Sequence, residues 1–171
     1  MSAPDPAVSL FQAVDTDRSG RISSTELQRA LSSGGMAMFS ISTVKLMVTM
    51  FDRSRSGEVG FEDFRSLWGY LVQWKKCFDS FDADRSGTIS AGELQTAMSR
   101  FGYRFSPAFY AHLMHVYDED RTGDLGFDHF IRLCVELQIL TRHFATRDTT
   151  RTGKATFNYE DFLTAVFSIK A

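Results

Sequence analysis

One stretch of twelve residues, 82–93 with the sequence DADRSGTISAGE, limits the fold of this chain more than any other. Oxygen-bearing side chains occupy its positions 1, 3, 5, 9 and 12, glycine occupies position 6, and isoleucine occupies position 8. Oxygens at positions 1, 3, 5, 7, 9 and 12 can surround one calcium ion, and a glycine at position 6 permits the sharp turn. The strict pattern asks for Asp or Asn at position 5, where this chain has Ser86, which keeps the oxygen and loses a charge. The stretch therefore predicts a calcium-binding loop between two helices.

The same arrangement of ligands occurs twice. In residues 82–93 (loop three) the predicted ligands are four side chains and one backbone carbonyl, that of Thr88: Asp82, Asp84, Ser86, Thr88 and Glu93. Residues 15–26 (loop one) repeat the set, with the backbone carbonyl of Arg21 at position 7: Asp15, Asp17, Ser19, Arg21 and Glu26. The serine at position 9 would bind directly or through water, and the glutamate at position 12 through both oxygens. Each loop with its flanking helices is an EF-hand, and we expect both to bind Ca2+ in the sensor range, about 10⁻⁷–10⁻⁵ M.

Three further copies depart from this pattern. Loop two, 52–63, has serine at positions 3 and 5 and the shorter Asp63 at position 12. Asp63 would reach a large cation less well than glutamate does, and Mg2+ is an alternative ion, either in the two complete loops or weakly in loop two. Loop four, 118–129, ends in His129, whose imidazole cannot supply two oxygens, so we expect it to be empty or weak. A transition-metal ligand is the alternative role for His129.

Loop five begins at Asp148, with Gly153 at position 6. The apolar positions of the helix that follows match those of the other copies only if this loop is two residues longer, which places Asp161 in the twelfth slot. Thr150 and Thr152 replace the charged ligands. The sequence therefore predicts negligible calcium affinity for this loop.

The spacing of the loops predicts an all-α fold of five helix-loop-helix units with short β-bridges between paired loops. The loops start at 15, 52, 82, 118 and 148, and the two short steps of 30 residues contain no proline. Residues 64–81 and 130–147 are therefore each expected to form one continuous helix. Asp5 would cap the first helix, and Gly34 and Gly35 would end the second. We expect one domain, residues 1–171, with hands near 7–33, 42–70, 71–101, 107–137 and 138–169.

EF-hands pair through position 8, so Ile22 should face Val59 and Ile89 should face Leu125. Because five is an odd number, the fifth hand has no partner within the chain. Its apolar residues would then be covered by a second copy in a two-fold dimer, and the alternative is that the last helix folds back on its own chain. The candidate interface residues are Phe162, Val166, Phe167 and Ile169.

Composition excludes several other classes. The net charge of −2 gives no reason to expect nucleic acid or direct membrane contact. The two cysteines, Cys77 and Cys134, suggest neither a disulfide framework nor a metal pair, which fits the cytoplasm. His112 and His115 lack the acidic residue of a zinc-hydrolase motif, and neither cysteine has a paired histidine. We therefore expect a protein that is not an enzyme.

The five hands with these step lengths resemble the penta-EF-hand family, and several shared stretches favour one subgroup of it: residues 51–53, 68–74, 101–104, 127–131 and 166–169. The resemblance implies a calcium sensor and adaptor in which hands one and three are the principal metal sites. It implies a homodimer through the fifth hand, or a heterodimer with another penta-EF-hand protein. It also implies recognition of Pro-rich segments of membrane-traffic or ESCRT-linked proteins, and recruitment to membranes or the nucleus when calcium rises.

The residues that match the peptide pocket of the family are Trp68, Trp74, Phe101, Arg104 and Tyr159. The aromatic members could equally be ordinary core residues. Two functional alternatives also stay open at this stage. One is a regulatory subunit similar to the calpain small subunit, and the other is a simple calcium buffer, which would open little on binding.

Overall fold

The computed structural model describes residues 6–33 and 38–169. Within these ranges the chain forms eight helices: α1 Pro6–Val14, α2 Ser24–Ser33, α3 Ile41–Phe51, α4 Phe61–Phe81, α5 Ala91–Arg100, α6 Pro107–Tyr117, α7 Phe127–Arg147 and α8 Tyr159–Phe167. Two short strands, β1 Ile22–Ser23 and β2 Glu58–Val59, form one small antiparallel sheet. The predicted all-α class with β-bridges is therefore confirmed.

The long helices follow the prediction from the short steps. Both α4 and α7 are continuous over 21 residues and include the ranges 64–81 and 130–147. The predicted cap Asp5 and the predicted stop at Gly34 and Gly35 lie outside the described residues, although α1 begins at Pro6 and α2 ends at Ser33.

Helix α5 carries strong local signals at both ends. At its start, the Ser90 hydroxyl accepts a hydrogen bond from the Glu93 N–H, and the Glu93 side chain accepts one from the Ser90 N–H. At its end, Gly102 has a φ of 91°, and the N–H of Tyr103 donates to the Met98 carbonyl at 2.9 Å. This pair of features is a capping box followed by a Schellman motif, which together fix the length of the helix.

The loops pair as their position-8 residues predicted. In the sheet, Ile22 faces Val59 and Ser23 faces Glu58. An isolated antiparallel bridge joins Ile89 to Leu125 through two N–H···O bonds of 2.8 Å. The pairing aligns the two loops of each pair side by side, and this register positions the metal centres described below.

The chain divides into two compact units, Met1–Phe130 and Ile131–Ala171, with the boundary inside α7. In the first unit, α1 packs against α2 and α4, α3 against α2 and α4, and α5 against α4 and α6. Phe64, Phe78 and Phe130 are fully buried in its core. The second unit contains the remainder of α7, loop five and α8. The prediction of one domain over residues 1–171 stays a prediction.

Candidate metal centres

Loop one brings three carboxylates together. One oxygen from each of Asp15, Asp17 and Glu26 lies within 4.8 Å of the others. Asp15 folds the loop over itself, because its two oxygens accept hydrogen bonds from the N–H groups of Ser19 and Gly20, each at 2.9 Å. Gly20 has a φ of 77°, so glycine is required at this turn. The turn therefore follows directly from the pattern in the sequence.

Glu26 is held by donors at positions 2 and 9 of loop one. One oxygen accepts hydrogen bonds from the N–H and hydroxyl of Thr16, each at 2.9 Å. The other accepts from the N–H of Ser23 at 3.0 Å and from its hydroxyl at 2.8 Å. Led by the Ser23 N–H, these bonds lower the pKa of Glu26 to about 2, although burial opposes the shift. Glu26 is therefore an anion at neutral pH and is fixed in place beside Asp15 and Asp17.

Loop three repeats the arrangement. Oxygens of Asp82, Asp84 and Glu93 lie within 4.8 Å of one another. Asp82 accepts from the N–H groups of Ser86 and Gly87 at 2.9 Å, as Asp15 does in loop one. Glu93 accepts from the N–H groups of Ala83 at 2.8 Å and Ser90 at 2.9 Å. The Ser90 N–H is the main cause that lowers the pKa of Glu93.

The hydroxyl and carbonyl positions complete both oxygen sets. The Ser19 hydroxyl donates to the carbonyl of Arg21 at 2.9 Å, and the Ser86 hydroxyl to that of Thr88 at 3.2 Å. Positions 5 and 7 of each loop therefore lie close together. Three like charges at this spacing repel one another, and a hard divalent cation surrounded by oxygens removes the repulsion. The residues present fit calcium, which supplies that positive charge when bound.

The other three loops differ at the twelfth slot. In loop two, Asp63 forms an ion pair with Arg53 at 3.4 Å. In loop four, Asp118 accepts from the Gly123 N–H at 2.7 Å, and this bond contributes most to lowering its pKa, but His129 stands at position 12. Within the described residues, only loops one and three have three acidic, histidine or cysteine side chains close enough to hold a metal.

Loop five has the two-residue extension that the helix pattern predicted. Helix α8 begins at Tyr159, whereas the helices after the other loops begin two residues earlier relative to the first ligand. Its cap is Asn158, whose side chain accepts from the Asp161 N–H at 2.8 Å. The Asp161 carboxylate lies 2.7 Å from the Arg147 guanidinium. The single acidic group in the twelfth slot is thus already paired with a cation of the chain.

The peptide-pocket candidates of the first unit include one ring in the interior. Trp74 is buried, and its ring meets those of Tyr70, Phe101 and Phe130 edge-on, at centroid distances of 5.9, 5.6 and 6.0 Å. Phe101 itself is 38% exposed. Trp74 is therefore a core residue in this conformation, and Phe101 forms its cover toward solvent.

The other pocket candidates lie nearer the surface. Trp68 is half-buried and stacks on Phe64 at 6.1 Å, and Arg104 is exposed. Tyr159, in the second unit, is 75% exposed. In that unit Phe162 and Phe167 are 53% and 56% exposed, and Val166 and Ile169 are half-buried. The assignments of these residues to a peptide pocket and a dimer interface stay predictions.

Burial limits the reactivity of the thiol of Cys77. Cys77 is half-buried and Cys134 is buried, and burial raises the pKa of Cys77. A raised pKa leaves less of the reactive thiolate at neutral pH. His112 and His115 are exposed on α6.

The sequence patterns did not indicate two side-chain contacts of arginine near the loops. The Arg21 side chain crosses from loop one to loop two, and Arg147 pairs with Asp161. The loop pattern uses position 7 only through its backbone carbonyl, so it does not predict a contact of the Arg21 side chain. A usable signal existed, since a long cationic side chain at position 7 faces a partner loop that has serine where aspartate is usual.

Comparison with known proteins agrees with this geometry. A family model described as an EF-hand domain pair matches residues 7–69 and again residues 72–135. Human sorcin is 41% identical over 169 residues, covering 96% of this chain and 84% of sorcin. Human peflin is 41% identical over 166 residues, covering 96% of this chain and 58% of peflin. The chain spans about three fifths of the length of the peflins that it matches.

A solved structure extends the agreement to the fold. A homolog of programmed cell death 6 protein from Leishmania major Friedlin is 34% identical and superposes with a TM-score of 0.82, covering 96% of this chain and 94% of that one. The subgroup that the shared stretches favour is that of programmed cell death 6 protein.

The paired loops, their exiting helices and the two carboxylate triads define an EF-hand calcium-binding protein. The chain belongs to the penta-EF-hand family, as its likeness to sorcin and peflin and its five loops establish. That the chain is not an enzyme stays a prediction.

Proposed function

We propose that this protein is a calcium sensor and adaptor in which loops one and three bind the ion and the bound form recognises Pro-rich segments of partner proteins. The observation that carries the proposal is the pair of carboxylate triads, each within 4.8 Å. In both triads the twelfth residue, Glu26 or Glu93, lies in the first turn of the exiting helix. A change at the ion is therefore transmitted directly to a helix.

Helix α5 gives that change a route to an aromatic cluster. Glu93 lies in its first turn, and the helix ends at Arg100, followed by its C-cap Phe101. The Phe101 ring contacts Trp74 at 5.6 Å and Phe81 at 5.7 Å. A shift or rotation of α5 on calcium binding would move Phe101 and uncover Trp74.

An aromatic surface of this kind suits Pro-rich ligands. A polyproline helix is ordered before it binds, so its binding costs little conformational entropy, and its rings pack on aromatic side chains. Phe101 and Trp68 offer partly exposed rings, and Arg104 lies exposed three residues after Phe101. Tyr159 is the further member that the family resemblance supplies. The proposed partners are Pro-rich segments of membrane-traffic or ESCRT-linked proteins, met in the cytoplasm.

The fifth hand provides the proposed dimer contact. Among the described residues of loop five there is no strand or bridge, whereas the other four loops pair. Phe162 and Phe167 of α8 are more than half exposed. A second penta-EF-hand chain, the same or a related one, would pair with the loop and cover these rings.

The test combines ion binding with peptide binding. We expect calorimetry to detect two calcium ions per wild-type chain in the range of about 10⁻⁷–10⁻⁵ M. A fluorescent peptide rich in Pro and Tyr should bind in calcium and dissociate in chelator. Glu26→Gln and Glu93→Gln should each remove one ion, and Glu93→Gln should also abolish peptide binding. Glu62→Gln is the matched control, because this exposed glutamate stands at position 11 of loop two, which is not a ligand position.

Two results would contradict the proposal. If the wild-type chain takes up no calcium in this range, the metal assignment is wrong. If the peptide binds equally well in calcium and in chelator, the protein is not a switch, whatever its ion stoichiometry.

A further inference from the structure

The side chain of Arg21 reaches from loop one into loop two. Its Nη2 atom donates to the Ser54 hydroxyl at 3.0 Å and to the Glu58 carbonyl at 2.9 Å, and it also donates to the Ser56 hydroxyl. Its Nε lies 3.4 Å from the Glu58 carboxylate. One nitrogen of the cationic guanidinium therefore donates hydrogen bonds to three oxygens of the neighbouring loop.

These three oxygens belong to residues at ligand positions of loop two. Ser54, Ser56 and the carbonyl of Glu58 stand at positions 3, 5 and 7 of loop two. In a loaded loop the same three positions contribute oxygens to the ion. The guanidinium thus binds three of the oxygens that a metal in loop two would need.

The acidic ligands of loop two are also satisfied within the chain. Asp52, at position 1, accepts hydrogen bonds from the Ser54 hydroxyl at 2.7 Å and the Gly57 N–H at 2.6 Å. Burial alone would raise the pKa of Asp52, but hydrogen bonds led by the Ser54 hydroxyl outweigh it and lower the pKa. Asp63, at position 12, is paired with Arg53. Both carboxylates at the ends of loop two therefore already have partners within the chain.

The second pair of loops has no such bridge. Thr88 occupies in loop three the position that Arg21 has in loop one. Its short side chain lies 3.1 Å from the Ser86 hydroxyl in its own loop and 3.5 Å from Asp124. The contact between the first two loops therefore depends on an arginine at position 7 of loop one, and the fold alone does not produce it.

We propose that the guanidinium of Arg21 is the resident cation of loop two and excludes divalent metal from it. The same residue offers its carbonyl to loop one, where it accepts from the Ser19 hydroxyl at 2.9 Å. The first pair of hands therefore takes one divalent ion, in loop one, while its other cation is built into the chain. The proposal replaces the expectation that magnesium binds weakly in loop two.

The test removes the guanidinium and counts ions. Arg21→Met should gain one calcium ion relative to wild type, in equilibrium dialysis and calorimetry with calcium alone, with a dissociation constant of about 10⁻⁴–10⁻³ M, the range of weak EF-hand-type sites. Adding Asp52→Asn to Arg21→Met should remove the gained ion. Arg21→Lys keeps a cation and should gain none. Arg18→Met removes the same charge from an exposed position of loop one and should also gain none.

A second measurement covers the case in which Arg21→Met does not fold. The measurement is the rate at which the guanidinium protons of wild-type Arg21 exchange with water, followed in ¹⁵N NMR spectra. This rate should be at least about tenfold lower than that of exposed Arg151, because hydrogen bonds to Ser54 and Glu58 hold the Arg21 group. Equal exchange, or a folded Arg21→Met with no added ion, would overturn the proposal. The gain is measured against wild type, so it is informative even if loops one and three bind no calcium.

Discussion

At the scale of single residues, the glutamates at position 12 are oriented by donors close to them in the sequence. Glu26 accepts from Thr16 and Ser23, and Glu93 accepts from Ala83 and Ser90. In each loop the two donors stand at positions 2 and 9, so the glutamate at position 12 is bonded to both halves of its loop even without an ion. The carboxylates are therefore oriented in advance, and calcium binding has less conformational entropy to overcome.

Glu26 gives a testable dependence of stability on pH. Its pKa falls from the ordinary 4.5 to about 2 in the folded protein. A lowered folded-state pKa stabilises the protein above the unfolded pKa, and this contribution disappears as pH falls through the folded value. In metal-free buffer we expect the free energy of unfolding from urea to fall between pH 4.5 and 2, less steeply in Glu26→Gln, which should also be less stable at pH 7. Exposed Glu160→Gln is the control, and parallel profiles for Glu26→Gln and wild type would refute the assignment.

The sequence was informative about those ligands because each has a fixed place in a twelve-residue frame. The frame identified both triads and the glycine turns without knowledge of tertiary contacts. The frame by itself did not identify the contact of Arg21 with loop two, because that contact appears only when the predicted register Ile22–Val59 is combined with the reach of the long side chain. The pairing of Arg147 with Asp161 was missed for a similar reason. The twelve-residue pattern therefore predicts the oxygen ligands within a loop. It does not predict contacts of long arginine side chains with residues outside their own loop.

At the scale of elements, the helices end where local signals coincide with the loop frame. The Ser90 capping box begins α5, and Gly102 ends it. The apolar spacing of α8 also identified the two extra residues of loop five, since a helix must present its apolar face to a core at a fixed phase. The sequence could therefore predict these boundaries from patterns within about one turn.

Two glycines allow opposite predictions for helix stability. Gly69 lies inside α4 with ordinary backbone angles, and an added methyl group would meet nothing within 4 Å. Gly69→Ala should stabilise the protein by about 0.5–1 kcal/mol, because alanine favours a helix interior. Gly102 has a φ of 91°, so Gly102→Ala should destabilise by about 1–2 kcal/mol. Urea unfolding in saturating calcium measures both, and equal signs would contradict the helix assignment at one of the two sites.

At the scale of the whole molecule, four loops pair and the fifth does not pair within the described residues. The contacts divide the chain inside α7, so that the fifth hand belongs to a unit of its own. Because the sequence contains five loops, it predicted that the fifth hand would have no partner within the chain. It could not predict this division, because a continuous 21-residue helix has no linker that would mark a boundary. A small unit with exposed phenylalanines on α8 gains more from a partner than a large one, since it buries less of its own apolar surface.

The proposed dimer therefore depends on the exposed rings of α8, and their removal should separate the copies. Phe162 and Phe167 are each about half exposed, so covering them should contribute about 1 kcal/mol per ring. A symmetric dimer has four such rings, and losing them should raise its dissociation constant about a thousandfold. In sedimentation equilibrium at micromolar concentration, the wild type should be a dimer. The double variant Phe162→Ser with Phe167→Ser should be a monomer that still binds calcium.

Met38→Ser is the control, because it alters an apolar side chain that is 86% exposed in the first unit, and it should leave the dimer intact. A monomeric wild type would contradict the proposed dimer. If the double variant dimerises as strongly as the wild type, the interface does not include these two rings.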